Sequence, residues 1–304
     1  MSHLHSHVCY CGSLVSITDV RCRPSTGRPS GEEQTTAHEV VFPRAGVFVK
    51  HVGNQQAVAD SNHVLFFNAN EPYRVSHPMP GGDDCTSFTF QTETLIEVLG
   101  AYEPMARDQP GKPFGLTHGL IGPKIIIQQQ ELRRRLGDAW IDALEIEESA
   151  LNLLYAVLRD AYRLRTIPPR QHRSDTLQLR QEWVERVKLL MAKRPGANLS
   201  LTEIARAVHC SPFHLARVFQ AEVGPSIHQY HLRLRLALAL ERLLDRPASL
   251  TELALDLGFA SHSHFTATFQ RFFGISPSGF RRATSRSRLR EMSKILKVLP
   301  REMR

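Results

Sequence analysis

A chain of 304 residues, 42% apolar and 22% charged, is long enough for two ordinary domains and too apolar to be disordered. Its apolar runs, such as Val64–Phe67, fall far short of the roughly 18 residues of a membrane helix. The opening MSHLHSHVCYCG lacks the apolar core and basic lead of a signal peptide, so a cytoplasmic, nucleoid-associated protein without a membrane partner is expected. The net charge of +8 is unevenly divided: residues 1–169 hold 15 basic and 19 acidic side chains, net −4, and residues 170–304 hold 23 and 11, net +12. That division points either to a polyanion partner for the C-terminal half or to a solubilising surface.

In chain order, Cys9, Cys11 and Cys22 come first, with His3, His5 and His7. These are metal-ligating types, but no CxxC pair gives zinc-site spacing, so neither metal nor cofactor is expected. Together with Cys85 and Cys210 they make an odd number of thiols, expected to be reduced. Residues 13–90 read as short strands. Val47–Val52, Val64–Phe67 and Thr86–Phe90 are rich in β-branched and aromatic residues, and turn clusters such as Gly53-Asn54 and Pro80-Gly81-Gly82-Asp83 separate such runs, a pattern of small barrels or sandwiches. A helix is expected at about 125–136. A second, at 146–164, is expected because Leu151, Leu154, Tyr155 and Leu158 recur at i, i+3, i+4 and i+7. Their apolar faces would form a dimer seam or pack on the strands. Ile167-Pro168-Pro169-Arg170 breaks the period and reads as a linker. The boundaries are then 1–123, strand-rich; 124–166, helical; 167–176, linker; 177–283, a second domain; and 284–304, a basic tail.

The second domain repeats itself. Leu201-Thr202-Glu203-Ile204-Ala205 matches Leu250-Thr251-Glu252-Leu253-Ala254, and Leu215, Phe219, Gly224, Ser226 and Tyr230 match Phe265, Phe269, Gly274, Ser276 and Phe280. The offsets, 49 and then 50, differ by one residue in a turn, where insertions are tolerated. Each copy has an apolar stripe (Leu201, Ile204, Ala205, Val208; Leu250, Leu253, Ala254, Leu257), a short turn, and a second helix capped by Ser211 or Ser261. Pro212 fits the first helical position, where no amide hydrogen is needed. Helix, tight turn, helix is the DNA-binding helix-turn-helix, though an ordinary helical hairpin has the same outline. Duplication and the basic charge favour DNA. Ser226–Leu244 forms one apolar-striped stretch, roughly 28 Å long if helical, against about 34 Å between successive major grooves on one face. Arg233, Arg235 and Arg242 along it are expected to be solvated or to face phosphates.

Residues 181–282 resemble the AraC/XylS DNA-binding domain. The likeness is carried by Gly258-Phe259-Ala260-Ser261-His262-Ser263-His264-Phe265, Phe269, Phe272-Phe273-Gly274-Ile275-Ser276-Pro277 and Phe280-Arg281. The resemblance implies an α+β, two-domain transcriptional regulator, an activator type. An N-terminal cupin-like β-barrel with flanking helices would precede an all-α domain of two helix-turn-helix units on a linker helix. The partners implied are double-stranded promoter DNA, RNA polymerase, a small effector and a second copy of the chain as homodimer. Candidate DNA contacts are Phe213, His214, Arg217 and Gln220 in the first reading helix, and His262, Ser263, Thr266, Gln270 and Arg271 in the second. Leu215, Phe219, Phe265 and Phe269 map to packing positions. Two positions depart from the family: Ala267 stands where arginine is common, and Ala216 where a polar residue is common.

The first half resembles the family's cupin-like effector domains in His38–Arg44 and in Asn62–Asn68 with Glu71-Pro72-Tyr73-Arg74. Arg44, Tyr73, Arg74 and His77 are candidate effector contacts. A metal-dependent cupin enzyme would need a clustered His and carboxylate set. Here His38, His51, His63 and His77 stand singly, so no catalysis and no metal are expected. Three function classes remain: a regulator with an effector pocket, a metal-dependent enzyme with a DNA-binding tail, and a DNA-bound factor whose barrel makes only protein contacts.

Overall fold

The computed structural model describes residues 3–24, 29–136, 142–163, 174–244 and 249–282. Of the expected linker at 167–176, residues 167–173 lie outside them, as does the basic tail at 284–304, whereas residues 174–176 already belong to a helix. Early alternation gives strands: in β2 (Val15–Arg23) Val15 and Ile17 are buried and Ser16 and Thr18 are half-buried, the period-two signature of a sheet with one covered face. The other strands are β1 (His3–Cys11), β3 (Glu39–Gly46), β4 (Phe48–Val52), β5 (Gln55–Ala59), β6 (His63–Phe67), β7 (Arg74–Ser76), β8 (Asp83–Phe90) and β9 (His118–Leu120). They form two antiparallel sheets, one in the order β1-β2-β8-β3-β6-β9 and one in the order β5-β4-β7.

The sheets do not close, so the expected barrel is corrected to two open sheets. The corner lies between β3 and β4, where a register shift at Pro43/Ala45 and a left-handed Gly46 (φ 78°) carry the chain from the first sheet to the second. Proline has no amide hydrogen to continue a ladder. The outer strand β1 leaves Leu4 and Val8 exposed.

Helices α1 (Thr92–Leu99), α2 (Pro123–Arg135) and α3 (Ala143–Arg163) cover the large sheet. The buried stripe of α3 is Ile146, Ala150, Leu153, Leu154, Val157, Leu158 and Ala161. Leu154 and Leu158 lie on it as expected, whereas Tyr155 is 48% exposed. The stripe packs within the chain's own core, the second of the two arrangements open to it.

The C-terminal half is helical: α4 (Ser174–Lys193), α5 (Leu201–Ala207), α6 (Pro212–Val223), α7 (Ile227–Leu244), α8 (Leu250–Asp256) and α9 (His262–Phe273). Val184, Val187, Met191, Ile204, Leu215, Phe219 and Tyr230 form a core of their own. The second repeat does not. Leu236, Leu240, Leu243, Leu253, Phe265 and Phe269 join the cluster that contains Ile17, Phe88, Ile125 and Leu154 of the first half. Burial of each such side chain contributes about 1.5–3 kcal/mol, so this shared core binds α7–α9 to the sheet and its helices. Among the described residues no helix is long and apolar enough to cross a membrane.

Candidate nucleic-acid interface

Four serines set the repeated unit. Ser200 caps α5, accepting from the Glu203 amide while the Glu203 carboxylate accepts from the Ser200 amide (2.8 Å), a reciprocal capping box. Ser249 caps α8 in the same place of the second copy. Ser211 and Ser261 cap the reading helices α6 and α9, accepting from the amides of His214 and His264. Both reading helices end on a positive-φ glycine, Gly224 (97°) and Gly274 (77°), whose amides donate to Gln220 and Gln270. Glycine takes this conformation without steric cost.

The caps fix which faces turn outward. On α6, Leu215, Val218 and Phe219 are buried, while Phe213, His214, Arg217 and Gln220 are exposed. Phe213 is 73% exposed. The Arg217 guanidinium lies 5.7 Å from its ring centroid, a cation–π stack one helical turn long. The Trp183 ring of α4 meets the His214 ring edge-on at 5.5 Å. On α9, Ser263, Ala267, Gln270 and Arg271 are exposed. His262 and Thr266 are half-buried, with Nε2 and Oγ1 3.4 Å apart. All nine candidate contacts therefore lie on two capped helices, each with one exposed arginine, and the exposed phenylalanine ring is on the first.

The connector α7, at 18 residues, is about 27 Å long. Arg235 is not free to meet phosphates as expected. It donates to the carbonyls of Pro195 (2.7 Å), Ala197 (2.8 Å) and Gly258 (3.0 Å). Gly258 is left-handed (φ 75°), and a side chain there would overlap the Gly196 carbonyl, so two loops meet backbone to backbone around one guanidinium. Arg242 is exposed and lies 3.8 Å from Asp256.

The first half holds this connector at both ends. Near its start, Tyr230 donates from its hydroxyl to the fully buried Asp60, and the Asn62 amide donates to the Tyr230 carbonyl (3.3 Å). Burial pushes Asp60 up, but His63, Tyr230 and the backbone N–H of Asn62 outweigh it and hold its carboxyl below the usual range. Near its end, Glu241 accepts from Arg44 (3.0 Å), Gln130 (2.6 Å) and Arg133 (3.2 Å). Elsewhere, a cavity of about 530 Å³ opens between β4, β5, His118, α4 and Glu222 at the end of α6.

The four candidate effector contacts are not brought together. Arg44, 3% exposed, is engaged with Glu241, Asp19 (3.4 Å) and the Cys85 carbonyl (3.2 Å). His77 is buried against Asp83 at 2.6 Å. Tyr73 packs edge-on against Phe67 at 4.8 Å, and Arg74 is exposed. Burial pushes the Tyr73 hydroxyl up to about 12. The sequence did not group Cys22 with His77 and Asp83, because 55 residues separate the first pair. Their donor atoms nevertheless lie within 4.8 Å of one another.

The family model described as a helix-turn-helix domain matches residues 204–283. The Msm operon regulatory protein of Streptococcus mutans is 29% identical over 115 residues, 38% of this chain and 41% of that protein. The chain thus matches less than half the length of that relative. The melibiose operon regulatory protein of Escherichia coli is 22% identical over 260 residues, 82% of this chain and 83% of that protein. A solved transcriptional regulator from Chromobacterium violaceum, described as an AraC-type DNA-binding domain-containing protein, is 30% identical over 34% of this chain and 94% of its own, with a TM-score of 0.33.

Proposed function

We propose that the chain is a helix-turn-helix regulator of the AraC/XylS type, a reading supported by the matched helix-turn-helix domain and the likeness to operon regulatory proteins, and that it regulates transcription sequence-specifically by reading two successive major grooves. The observation that carries this reading is the repeat itself. Two serine-capped, glycine-ended reading helices lie 50 residues apart, on a connector whose length approaches the groove spacing. Phe213, His214, Arg217 and Gln220 would meet one groove. His262, Ser263, Thr266, Gln270 and Arg271 would meet the next. Residues 177–283 form the DNA-binding part and residues 1–166 a cupin-like sensor built of two open sheets and their helices.

In this reading a small effector acts on the first half, with Tyr73 and Arg74 as contacts still open to it, and RNA polymerase is the downstream partner in the cytoplasm. The hold on α7 by Arg44, Arg133 and Asp60 supports regulation, because it grips the element that sets the separation of the reading helices. Mapping bound sites across the source genome with the full chain, then repeating with Arg217→Ala, tests the proposal. Discrete sites with two conserved blocks about one helical turn apart are expected. Uniform occupancy, independent of sequence, would refute it.

A further inference from the structure

Strands β2 and β8 are antiparallel neighbours in which Cys22 stands opposite Asp83. Directly opposed residues share a face, and residues two apart on one strand share it too. Cys22, Asp83 and Cys85 therefore crowd one side of the large sheet. His77, the residue after β7 of the small sheet, reaches the same point from across the corner. One donor atom each from Cys22, His77 and Asp83 lies within 4.8 Å of the other two. Asp83 accepts from the Cys85 thiol at 3.1 Å and meets His77 Nε2 at 2.6 Å. His77, Asp83 and Cys85 are buried and Cys22 half-buried.

The backbone is shaped to permit this approach. Gly82 is left-handed (φ 72°), and a Cβ on it would overlap the Cys22 carbonyl and approach Pro24 Cδ at 2.8 Å. A Cβ on Gly46 (φ 78°) would overlap the Gly82 carbonyl and stand 2.8 Å from the Asp83 Cα. Two glycines thus let the 77–83 loop lie directly on the end of β2.

We propose that Cys22, His77 and Asp83, with Cys85 as fourth donor, form a binding site for a borderline-soft divalent transition metal of the zinc class. Two sulfurs, an imidazole and a carboxylate suit zinc-like ions in tetrahedral geometry, whereas calcium and magnesium take oxygen donors. The hydrogen bonds of His77 and Cys85 to Asp83 already gather these side chains around one carboxylate. Metal entry replaces the thiol protons, which leave to solvent, with metal–sulfur bonds; no oxidant or reductant is involved. The histidines and thiols of β1 are not part of the site. Because the Cys85 carbonyl accepts from Arg44, the metal would sit one residue from the contact with Glu241. The inference stands without the DNA-binding proposal.

The test uses the full chain, reduced and stripped with a chelator, titrated with Co2+ and then with Zn2+ in competition with a chromophoric chelator. One equivalent of Co2+ is expected per chain, with a thiolate-to-cobalt charge-transfer band that Zn2+ abolishes. Cys22→Ser and His77→Gln should each weaken binding by at least about tenfold, since even outer partners of a metal command roughly 10–100-fold. A Cys9→Ser/Cys11→Ser double variant should bind like the wild type. Thermal melts of the metal-free variants check folding. If His77→Gln does not fold, Cys22→Ser at the half-buried position decides. No charge-transfer band on the wild type overturns the site, as does an affinity that Cys22→Ser leaves unchanged or a band that disappears with Cys9 and Cys11.

Discussion

Arg217 and Ala267 face outward at equivalent places on the two reading helices, 50 residues apart. Arginine can make a bidentate contact to guanine, contributing about 1–3 kcal/mol of discrimination, whereas an alanine methyl offers at most contact with thymine. The first head should therefore specify more of the site. Arg217→Ala is expected to relax preference at one or two base pairs in one half of the site, and Ala267→Arg to add preference in the other half, read by selection from a randomised DNA library. Uniform weakening by Arg217→Ala would make that side chain a phosphate clamp. A second expectation at this scale concerns pH. Burial, with Arg235 nearby, pulls His231 down to about 4 from an ordinary 6.5. Between pH 6.5 and 4 the unfolded chain binds the extra proton, so stability falls as the pH falls through that window. Urea midpoints should drop there, and His231→Gln should flatten the drop by about 1–3 kcal/mol; an unchanged slope would contradict it. These residues differ in how plainly the sequence exposed them. Ser211 and Ser261 were legible as caps because a serine before a new apolar stripe has a local signature. The buried partners of Arg235 were not, since no local pattern tells a solvated arginine from one aimed at three carbonyls.

The same distinction holds for the elements. The helices α5–α9 follow from an apolar stripe repeated at a fixed offset, and β4, β6 and most of β8 follow from their β-branched and aromatic runs. The strands β1 and β9 and the helix α1 escaped: β1 alternates histidine, serine and cysteine, and β9 is three residues long, too short for a period. The open edge of the sheets was illegible because closure depends on pairing between distant strands rather than on any one run. The grip on α7 was also hidden, being made by side chains 108 to 197 residues apart in sequence. It yields a prediction. Glu241→Gln leaves Arg44, 2% exposed at its side chain, with less compensating charge. It should lower stability by about 1–3 kcal/mol and shift DNA affinity by roughly fivefold or more if the halves are coupled. Unchanged melting and unchanged affinity would show that this contact holds nothing. Gly258→Ala is a sharper probe of the second unit. A side chain at that left-handed position meets the Gly196 carbonyl, so a loss of about 1–3 kcal/mol is expected, read as a drop in melting temperature.

At the scale of the whole molecule, charge and core point in different directions. Charge separates the chain into a −4 half and a +12 half, as the sequence suggests for a sensor joined to a DNA-binding domain. The core joins them, because Phe265, Phe269 and Leu240 share one cluster with Phe88 and Leu154. A fragment of residues 175–285 should accordingly keep the first unit's separate core while exposing apolar surface on α7 and α9. It is expected to bind DNA yet melt lower than the full chain. The central claim is that two reading helices engage two successive grooves, and hydroxyl-radical footprinting of the full chain on a bound promoter fragment tests it most directly. Two protected patches about 10 base pairs apart on one face of the duplex are expected, with affinity falling steeply as salt rises because phosphate contacts release counterions. A single patch, or no protection at low salt on any promoter fragment, would contradict the account.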